Sequence, residues 1–476
     1  MNLESSMTTA VLPNVIPNLD PALESIAKKV HDGQRLSLDD GWTLYTTKDL
    51  WTVLELAKMI RDRMHPGVAY YNINRHLNYS NVCALACKFC EFARKKGDQG
   101  EYTRDLEYIK EEGRKAAASG ATELHIVGGL NPYLPFEYYT DMLRTLTEVA
   151  PSVHLKAFTA VELVHLARIA KVYKKDDTKS GVRWVLERLI DAGLGSLPGG
   201  GAEVFDDRVH REAFKTKIGA HEWLDVHLVA HELGLNTNCT MLYGHVDTRQ
   251  ERLRHMEILR RSQDQALHRL GYAGDADGYI AEGVPESAEI TAPVITLSGE
   301  GAVLPSPYVQ GAPLVDSYPP AGLGDPKDMQ VAKPTSMAPR EDSRLGGYYQ
   351  TITPLPFFPD GSELEHLSGP AGVENLRTIA VSRLMLDNFP HVKAFWIMQS
   401  VSMAEVMLQA GADDLDGTVV WYDITKAVGD GTHQETTASD LIKAINEAGY
   451  EAVERDTLYR RVVRDRNMWG VERTQI

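Results

Sequence analysis

Three of the four cysteines of this 476-residue chain fall within eight residues, in the segment Asn81-Val-Cys83-Ala-Leu-Ala-Cys87-Lys-Phe-Cys90. Thiolates at this C-x3-C-x2-C spacing can hold three irons of a cubic 4Fe–4S cluster and leave the fourth iron bare. Cluster irons are ordinarily closed off by four Cys thiolates, so a site one ligand short invites a small molecule to bind iron. The amino and carboxylate groups of S-adenosylmethionine (SAM) are the best-known occupants of such a vacancy. An electron passed to the sulfonium then splits SAM into methionine and an adenosyl radical. Chemistry of this kind belongs to the cofactors, and the protein positions and shields.

Other readings of the same residues stay open. Zinc wants four ligands, usually in C-x2-4-C pairs separated by a longer loop, and His76 could complete a Cys3His site. An unmetallated structural loop is a third reading. The remaining cysteine, Cys239, lies far away in an apolar segment, and four cysteines in 476 residues do not make a disulfide framework.

The composition is that of an ordinary globular protein, with 43% hydrophobic and 24% charged residues. A net charge of −16 argues against a nucleic-acid surface. An anionic substrate would therefore need local basic groups. The N-terminus MNLESSMTTAVLPNVIP lacks the pattern of a secretory signal, and no apolar run is long enough for a membrane span. A reduced, cytoplasmic location is expected.

The elements that must position the cysteines follow a rhythm. Two helical patterns, at 21–33 and 49–65, open the chain. β-type runs then alternate with amphipathic helices, at 70–78, 123–129, 153–160, 194–200, 235–245, 348–358, 392–398 and 413–420. Alternation at this spacing predicts βαβ units, a parallel sheet and a (β/α)8-like barrel, with a six-unit partial barrel as the alternative. From about Tyr272 to Leu345 Pro, Gly, Ala and Ser dominate and helical periodicity is absent. Lying between the fifth helix and the sixth strand, this stretch should leave from the face opposite the active site, as a wrapping or interface segment more than a lid. The expected division is a helical extension at 1–66, a first barrel part at 67–268, the insertion at 269–346, and barrel completion with a C-terminal segment at 347–476.

The cysteine loop follows the first strand and so belongs at the C-terminal mouth of the barrel, where catalysis sits in such folds. Phe89 is either a platform for adenine or a core aromatic. Gly128 and Gly129 end the second strand and permit close backbone approach, either to the methionine end of SAM or merely in a turn. Thr159 and Glu162 end the third strand. Glu203 follows a Pro and three Gly at the end of the fourth, available to a ligand hydroxyl or ammonium, or placed at a helix N-terminus. Asn72, Asn74 and His76 share one parity and suggest an inward polar surface, while Arg75 has the other. Arg75, His76, His125, Lys156 and His245 are the cations nearest the strand ends, any of which could bind a carboxylate.

From Asn78-Tyr79-Ser80-Asn81 through the three cysteines to Phe92 and Arg94, the chain resembles the radical SAM enzymes of menaquinone and deazaflavin biosynthesis. Further segments are most similar to the aminodeoxyfutalosine synthase family of the futalosine route: KKGDQGEY, ELHIVGGLNPYLPFEYY, HLKAFTAVE, SLPGGGAEVFDDRV, MLYGHVDT, LRTIAVSRLMLDNFPHVKAFWIM, GADDLDGTVV and ERDTLYRR. The likeness covers residues 20–265 and 347–460. The Pro/Gly-rich stretch departs from the family, as does Glu91 in Cys90-Glu91-Phe92.

The resemblance implies a radical SAM barrel in which Cys83, Cys87 and Cys90 ligate the cluster. SAM, consumed as a co-substrate, would lie against Phe89, Gly128, Gly129, Thr159, Glu162 and Glu203. The radical would add to the vinyl carbon of 3-[(1-carboxyvinyl)oxy]benzoate. Rearrangement and loss of the carboxyl group as CO2 or bicarbonate would give 6-amino-6-deoxyfutalosine and methionine, a carbon–carbon bond-forming transfer. Arg75, His76 and His245 are the expected catalytic or carboxylate-binding residues. A low-potential electron donor such as flavodoxin or ferredoxin is the expected partner. The later cyclisation enzyme of the pathway (cyclic dehypoxanthinyl futalosine synthase), the deazaflavin (FO) synthase subunit that uses tyrosine, and a non-catalytic iron–sulfur or zinc protein remain alternatives.

Overall fold

Most helices begin at a side chain that accepts from their free N–H groups. Asp20 caps Pro21–His31 (α1), Ser37 and Asp40 form a reciprocal capping box on Leu38–Thr46 (α2), and Asp49 caps Leu50–Met64 (α3). Such caps satisfy donors that the helix leaves without acceptors. The computed structural model describes residues 20–270, 330–331, 347–419 and 435–472. The expectation of a wrapping segment or lid at 272–345 falls outside them, apart from the backbone of 330–331.

Strands and helices then alternate. Val68–Asn72 (β1) and Asn74–Leu77 (β2) lead to Leu106–Ala118 (α4), and Glu123–Ile126 (β3) to Phe136–Val149 (α5). His154–Ala157 (β4) precedes Ala160–Ile169 (α6) and Thr178–Asp191 (α7). Asp207–Ala213 (α8) and Ala220–Glu232 (α9) precede Thr237–Tyr243 (β5) and Arg249–Arg269 (α10). Gln330–Val331 (β6) comes before Tyr349–Pro356 (β7), Gly372–Met385 (α11), His391–Val392 (β8), Trp396–Gln399 (α12), Val401–Leu408 (α13) and Asp414–Gly417 (β9). Ala438–Glu447 (α14), Glu451–Glu454 (β10), Val462–Asp465 (β11) and Met468–Val471 (β12) follow.

The parallel pairing runs in a circle. β2 pairs with β3, and β3 with β4. Lys156 bridges to Ser196 and Leu197 to Thr237, which makes 196–197 the fourth strand position. β5 pairs with β7 and β7 with β8. Lys393 bridges to Asp414 of β9, and Asp414 pairs with Tyr70 of β1. Parallel strands closed on themselves with helices outside are a (β/α)8 barrel of the TIM type, and the six-unit alternative is set aside. β10 lies parallel beside β1 along Val68–Tyr71, and β6, β11 and β12 form a separate antiparallel sheet. Helices α2 and α3 pack outside on α10 and α11.

Most strands are shorter than the runs expected from the sequence, the fourth and the seventh most of all. The fourth contributes only its two bridges. Pro198 has no N–H to donate to a ladder. A Cβ at Gly199 would stand 2.1 Å from Cys239 Cα, so only glycine permits this approach to β5. The seventh, expected over 392–398, leaves the sheet after Ala394, whose N–H still donates to Asp414 O at 2.8 Å. Trp396 begins α12 instead, and its indole N–H donates to Gly417 O at 2.8 Å.

Parity separates two surfaces of the barrel wall. Arg75 pairs with Glu112 of α4, and Thr237 contacts His227 and His231 of α9, so these positions face the helices. Leu124, Ile126, Leu155, Cys239 and Met241 share that face and form core. The opposite parity carries Asn74, His76, Glu123, His125, His154 and Lys156 across β2, β3 and β4 into the interior.

Candidate active site

The cysteine loop is fastened at its root to the mouth of the barrel. Asn78 Nδ2 donates to Val127 O at 2.9 Å. Asn81 accepts Tyr102 N–H at 2.7 Å and donates to Gly100 O at 2.9 Å, while Arg94 N–H donates to Asn81 O at 2.8 Å. Cys83 N–H donates to Arg94 O at 3.0 Å and Ala84 N–H to Leu130 O at 2.9 Å. Lys95 Nζ ties down the carbonyls of Cys83 and Leu85, at 2.8 and 2.6 Å. The far side is held by Ala86 N–H on Thr216 Oγ1 at 3.1 Å and Lys88 N–H on Ala213 O at 3.0 Å.

Gly128 and Gly129 lie against this root. Gly129 N–H donates to Ser80 O at 2.7 Å, and a Cβ there would stand 2.4 Å from Val82 O. A Cβ on Gly128 would meet the Tyr79 ring at 2.6 Å. Glu162, buried on α6, joins the same group. Its Oε1 accepts from Tyr79 O–H at 2.7 Å and Gly128 N–H at 3.0 Å, and its Oε2 accepts from Thr159 N–H and Oγ1, each at 2.7 Å. Thr159 and Glu162 form the capping box of α6. Burial lifts the Glu162 carboxyl above its ordinary range against the pull of its donors.

Glu203 sits at φ +50° and forms an ion pair with Lys217, a residue that sequence reasoning missed. Lys217 Nζ stands 5.0 Å from the Phe89 ring centroid and 5.8 Å from that of Phe214. Burial alone would lower the Lys217 ammonium, but Glu203 and the Cys87 thiol raise it above its ordinary value. Burial pushes the Cys87 thiol up to about 12 and raises that of Cys90, with Lys217 working in the opposite sense on both. Phe89 packs edge-on to Phe214 at 6.1 Å and lies 6.4 Å from the buried His245 ring. His245 contacts Leu242 O at 3.0 Å, while Asp247 accepts the N–H groups of Gly244 and His245.

Inside the barrel His76 stacks on His125, ring centroids 4.5 Å apart and 8° from parallel. Burial lowers His76 to about 4 and, with His76 beside it, holds His125 well below its ordinary value, so both are neutral near pH 7. The His125 side chain is 23% exposed, the most open of the ionisable groups of this layer. The same interior holds paired charges: Lys156, in register with His125, to Glu123 at 2.6 Å, Lys393 to Asp416 at 2.9 Å, and Arg455 to Asp414 at 2.6 Å. Arg75 does not join this interior. Its odd parity turns it to Glu112 at 3.1 Å on the outer wall, away from the interior where a carboxylate clamp was expected.

The donor chemistry fits an iron–sulfur cluster better than zinc. Tetrahedral zinc bonds of about 2.3 Å bring thiolates within about 4 Å of one another. Among the described residues, the group of His, Cys, Asp or Glu whose ligand atoms all lie within 4.8 Å is His65, His391 and Asp413, not the three cysteines. His76 lies within β2 and stacks on His125 inside the barrel, whereas the cysteines lie in the loop beyond the strand's end. Leu85 N–H points at Cys83 Sγ at 3.4 Å, as a donor to a thiolate would.

A closed parallel barrel with three cysteines in the loop after its first strand defines the radical SAM class. Residues 77–259 match the model of the Radical SAM superfamily, and 347–467 match the CofH/MqnC C-terminal region. Solved structures share the fold at low identity. Methylornithine synthase aligns with a TM-score of 0.54 at 13% identity, over 90% of this chain and 97% of that one. The hydrogenase maturase HydG of Carboxydothermus hydrogenoformans gives 0.57 at 12%, over 92% and 80%.

Curated relatives are nearer. The chain is 34% identical to an aminodeoxyfutalosine synthase of Thermus thermophilus, over 93% of this chain and 96% of the relative. It is 36% identical to one of Streptomyces coelicolor, over 91% and 92%. A 5-amino-6-(D-ribitylamino)uracil–L-tyrosine 4-hydroxyphenyl transferase of Methanothermobacter thermautotrophicus is 28% identical over 88% and 91%. The chain belongs to the aminodeoxyfutalosine synthase family of radical SAM enzymes. Membership implies a 4Fe–4S cluster and SAM. Among the described residues no helix is long and apolar enough to cross a membrane.

Proposed function

We propose that this enzyme consumes SAM to add an adenosyl group to the vinyl carbon of 3-[(1-carboxyvinyl)oxy]benzoate. The products are 6-amino-6-deoxyfutalosine, methionine, and the lost carboxyl group as CO2 or bicarbonate, on the futalosine route to menaquinone. The observation that carries the reading is identity of 34–36% to two aminodeoxyfutalosine synthases over nine-tenths of the chain. When bound, the cluster supplies the electron that splits SAM. Cys83, Cys87 and Cys90 would hold it. Phe89, Gly128, Gly129, Thr159 and Glu203 would surround SAM, with Glu162 positioning the strand end from behind. His76 and His125 would meet the substrate from the interior, and His245 would brace Phe89. A cytoplasmic setting and a flavodoxin or ferredoxin donor complete the reading. The division into an extension at 1–66, barrel parts at 67–268 and 347–476, and an insertion at 269–346 is kept.

Anaerobic turnover with the enolpyruvyl benzoate, read by mass, tests the reaction. An adduct retaining adenine supports it. Free 5′-deoxyadenosine alone points to the cyclisation enzyme or to uncoupling. The 28% relative and the CofH/MqnC match favour a second reading, aryl transfer from tyrosine, which a parallel incubation with tyrosine and the ribitylaminouracil decides.

A further inference from the structure

The segment that follows α8 is sewn to the cysteine loop. Lys88 N–H donates to Ala213 O at 3.0 Å and Ala86 N–H to Thr216 Oγ1 at 3.1 Å. The next residue, Lys217, projects over Phe89, the neighbour of Cys90, at 5.0 Å from its ring centroid. Its side chain is 11% exposed and that of its partner Glu203 is 8% exposed. Charges so placed are weakly screened by solvent and salt.

Two other cations are bound to the loop, Arg94 on the carbonyls of Glu91 and Ala93 and Lys95 on those of Cys83 and Leu85. Lys95 is exposed. Water therefore mutes it. In a chain of net charge −16 there is no general positive field to take the place of Lys217.

Reduction of an iron–sulfur cluster adds one negative charge to it. A fixed cation beside the ligand thiolates stabilises the reduced form more than the oxidised one, and a fixed anion does the reverse. Net charge, hydrogen bonds to sulfur and solvent exposure are the known determinants of cluster potentials. We propose that the Lys217–Glu203 ion pair sets the reduction potential of the cluster on Cys83, Cys87 and Cys90, with Lys217 raising it and Glu203 holding that rise in check. Neither residue is a ligand. Each tunes the site through space, and the inference rests on the cluster, not on the identity of the alkene substrate.

The test is a redox titration of anaerobically reconstituted protein without SAM, followed by electron paramagnetic resonance and normalised to bound iron and sulfide. The midpoint of Lys217→Met should move to more negative potential, and that of Glu203→Gln to more positive potential. Lys217→Arg and Lys95→Met should stay near the parent value. If Lys217→Met fails to hold iron, Glu203→Gln decides alone, because glutamine keeps the shape and removes the charge. Unmoved midpoints, or shifts of the same sign in Lys217→Met and Glu203→Gln, overturn the proposal.

Discussion

Tyr79 gives its phenolic hydrogen to Glu162 Oε1 across 2.7 Å, linking the residue four places before the first cysteine to the third residue of α6. The same oxygen receives Gly128 N–H, so one carboxylate registers the ends of the first and second strands against the helix that follows the third. Tyr79→Phe removes one of four donors and leaves a buried carboxylate under-satisfied. Hydrogen bonds to charged groups are worth about 1.5–3 kcal/mol. We expect a loss of about that size in chemical denaturation, together with weaker SAM binding by calorimetry. Unchanged SAM affinity would confine the residue to stability.

Gly129→Ala should be worse than its size suggests. The added carbon would collide with Val82 O, a backbone atom that cannot swing aside. The cysteine loop must shift, so iron bound per chain after reconstitution should fall severalfold while the far-ultraviolet dichroism stays close to the parent's.

Arg75→Ala should leave the apparent affinity for the enolpyruvyl benzoate unchanged, because the guanidinium faces α4. The expected cost is about 1 kcal/mol of stability, from a part-buried pair that also leaves Glu112 to Lys115. A tenfold rise in KM would return Arg75 to the binding site.

Acid should unfold the enzyme through its histidines. Burial holds His76 and His154 to about 4, and His65, His227 and His255 to about 3, below the ordinary 6.5. Their folded values are depressed, so between pH 6.5 and 4 the unfolded chain takes up protons that the folded one refuses. Stability therefore falls as pH drops through that window, by about 1.4 kcal/mol per pH unit for each imidazole. Glu162, raised by burial, acts in the opposite direction. Urea midpoints measured from pH 7.5 to 5 should show a slope steeper than one histidine can give.

Sequence periodicity was enough for the barrel and for the place of the cysteines, because alternating β and α patterns leave few topologies and the loop follows the first strand. The inward parity of Asn74 and His76 was legible for the same reason, since a strand repeats every two residues. Arg75 was named for its nearness to a strand end, yet its own parity, opposite to that of Asn74 and His76, already pointed to the outer face where it meets Glu112. Lys217 was invisible because its meeting with Glu203 depends on a return of the chain that no local pattern encodes. Helix α10 buries Arg252, Arg254, Glu257, Arg260 and Asp264, each matched by an opposite charge. Glu257 and Arg260 meet within the helix and Asp247 lies just before it, but the pairing of Arg254 with Asp206 and of Asp264 with Arg35 comes only with the fold.

The interior around the His76–His125 stack holds Glu123, Asp414 and Asp416 against Lys156, Lys393 and Arg455, three charges of each sign. Such a chamber is electrically balanced and exerts little pull at a distance. Set within a chain of net charge −16, it would offer a dicarboxylate no electrostatic steering on approach. Added salt should then leave the rate of substrate capture unchanged or quicken it, where a basic funnel would be slowed.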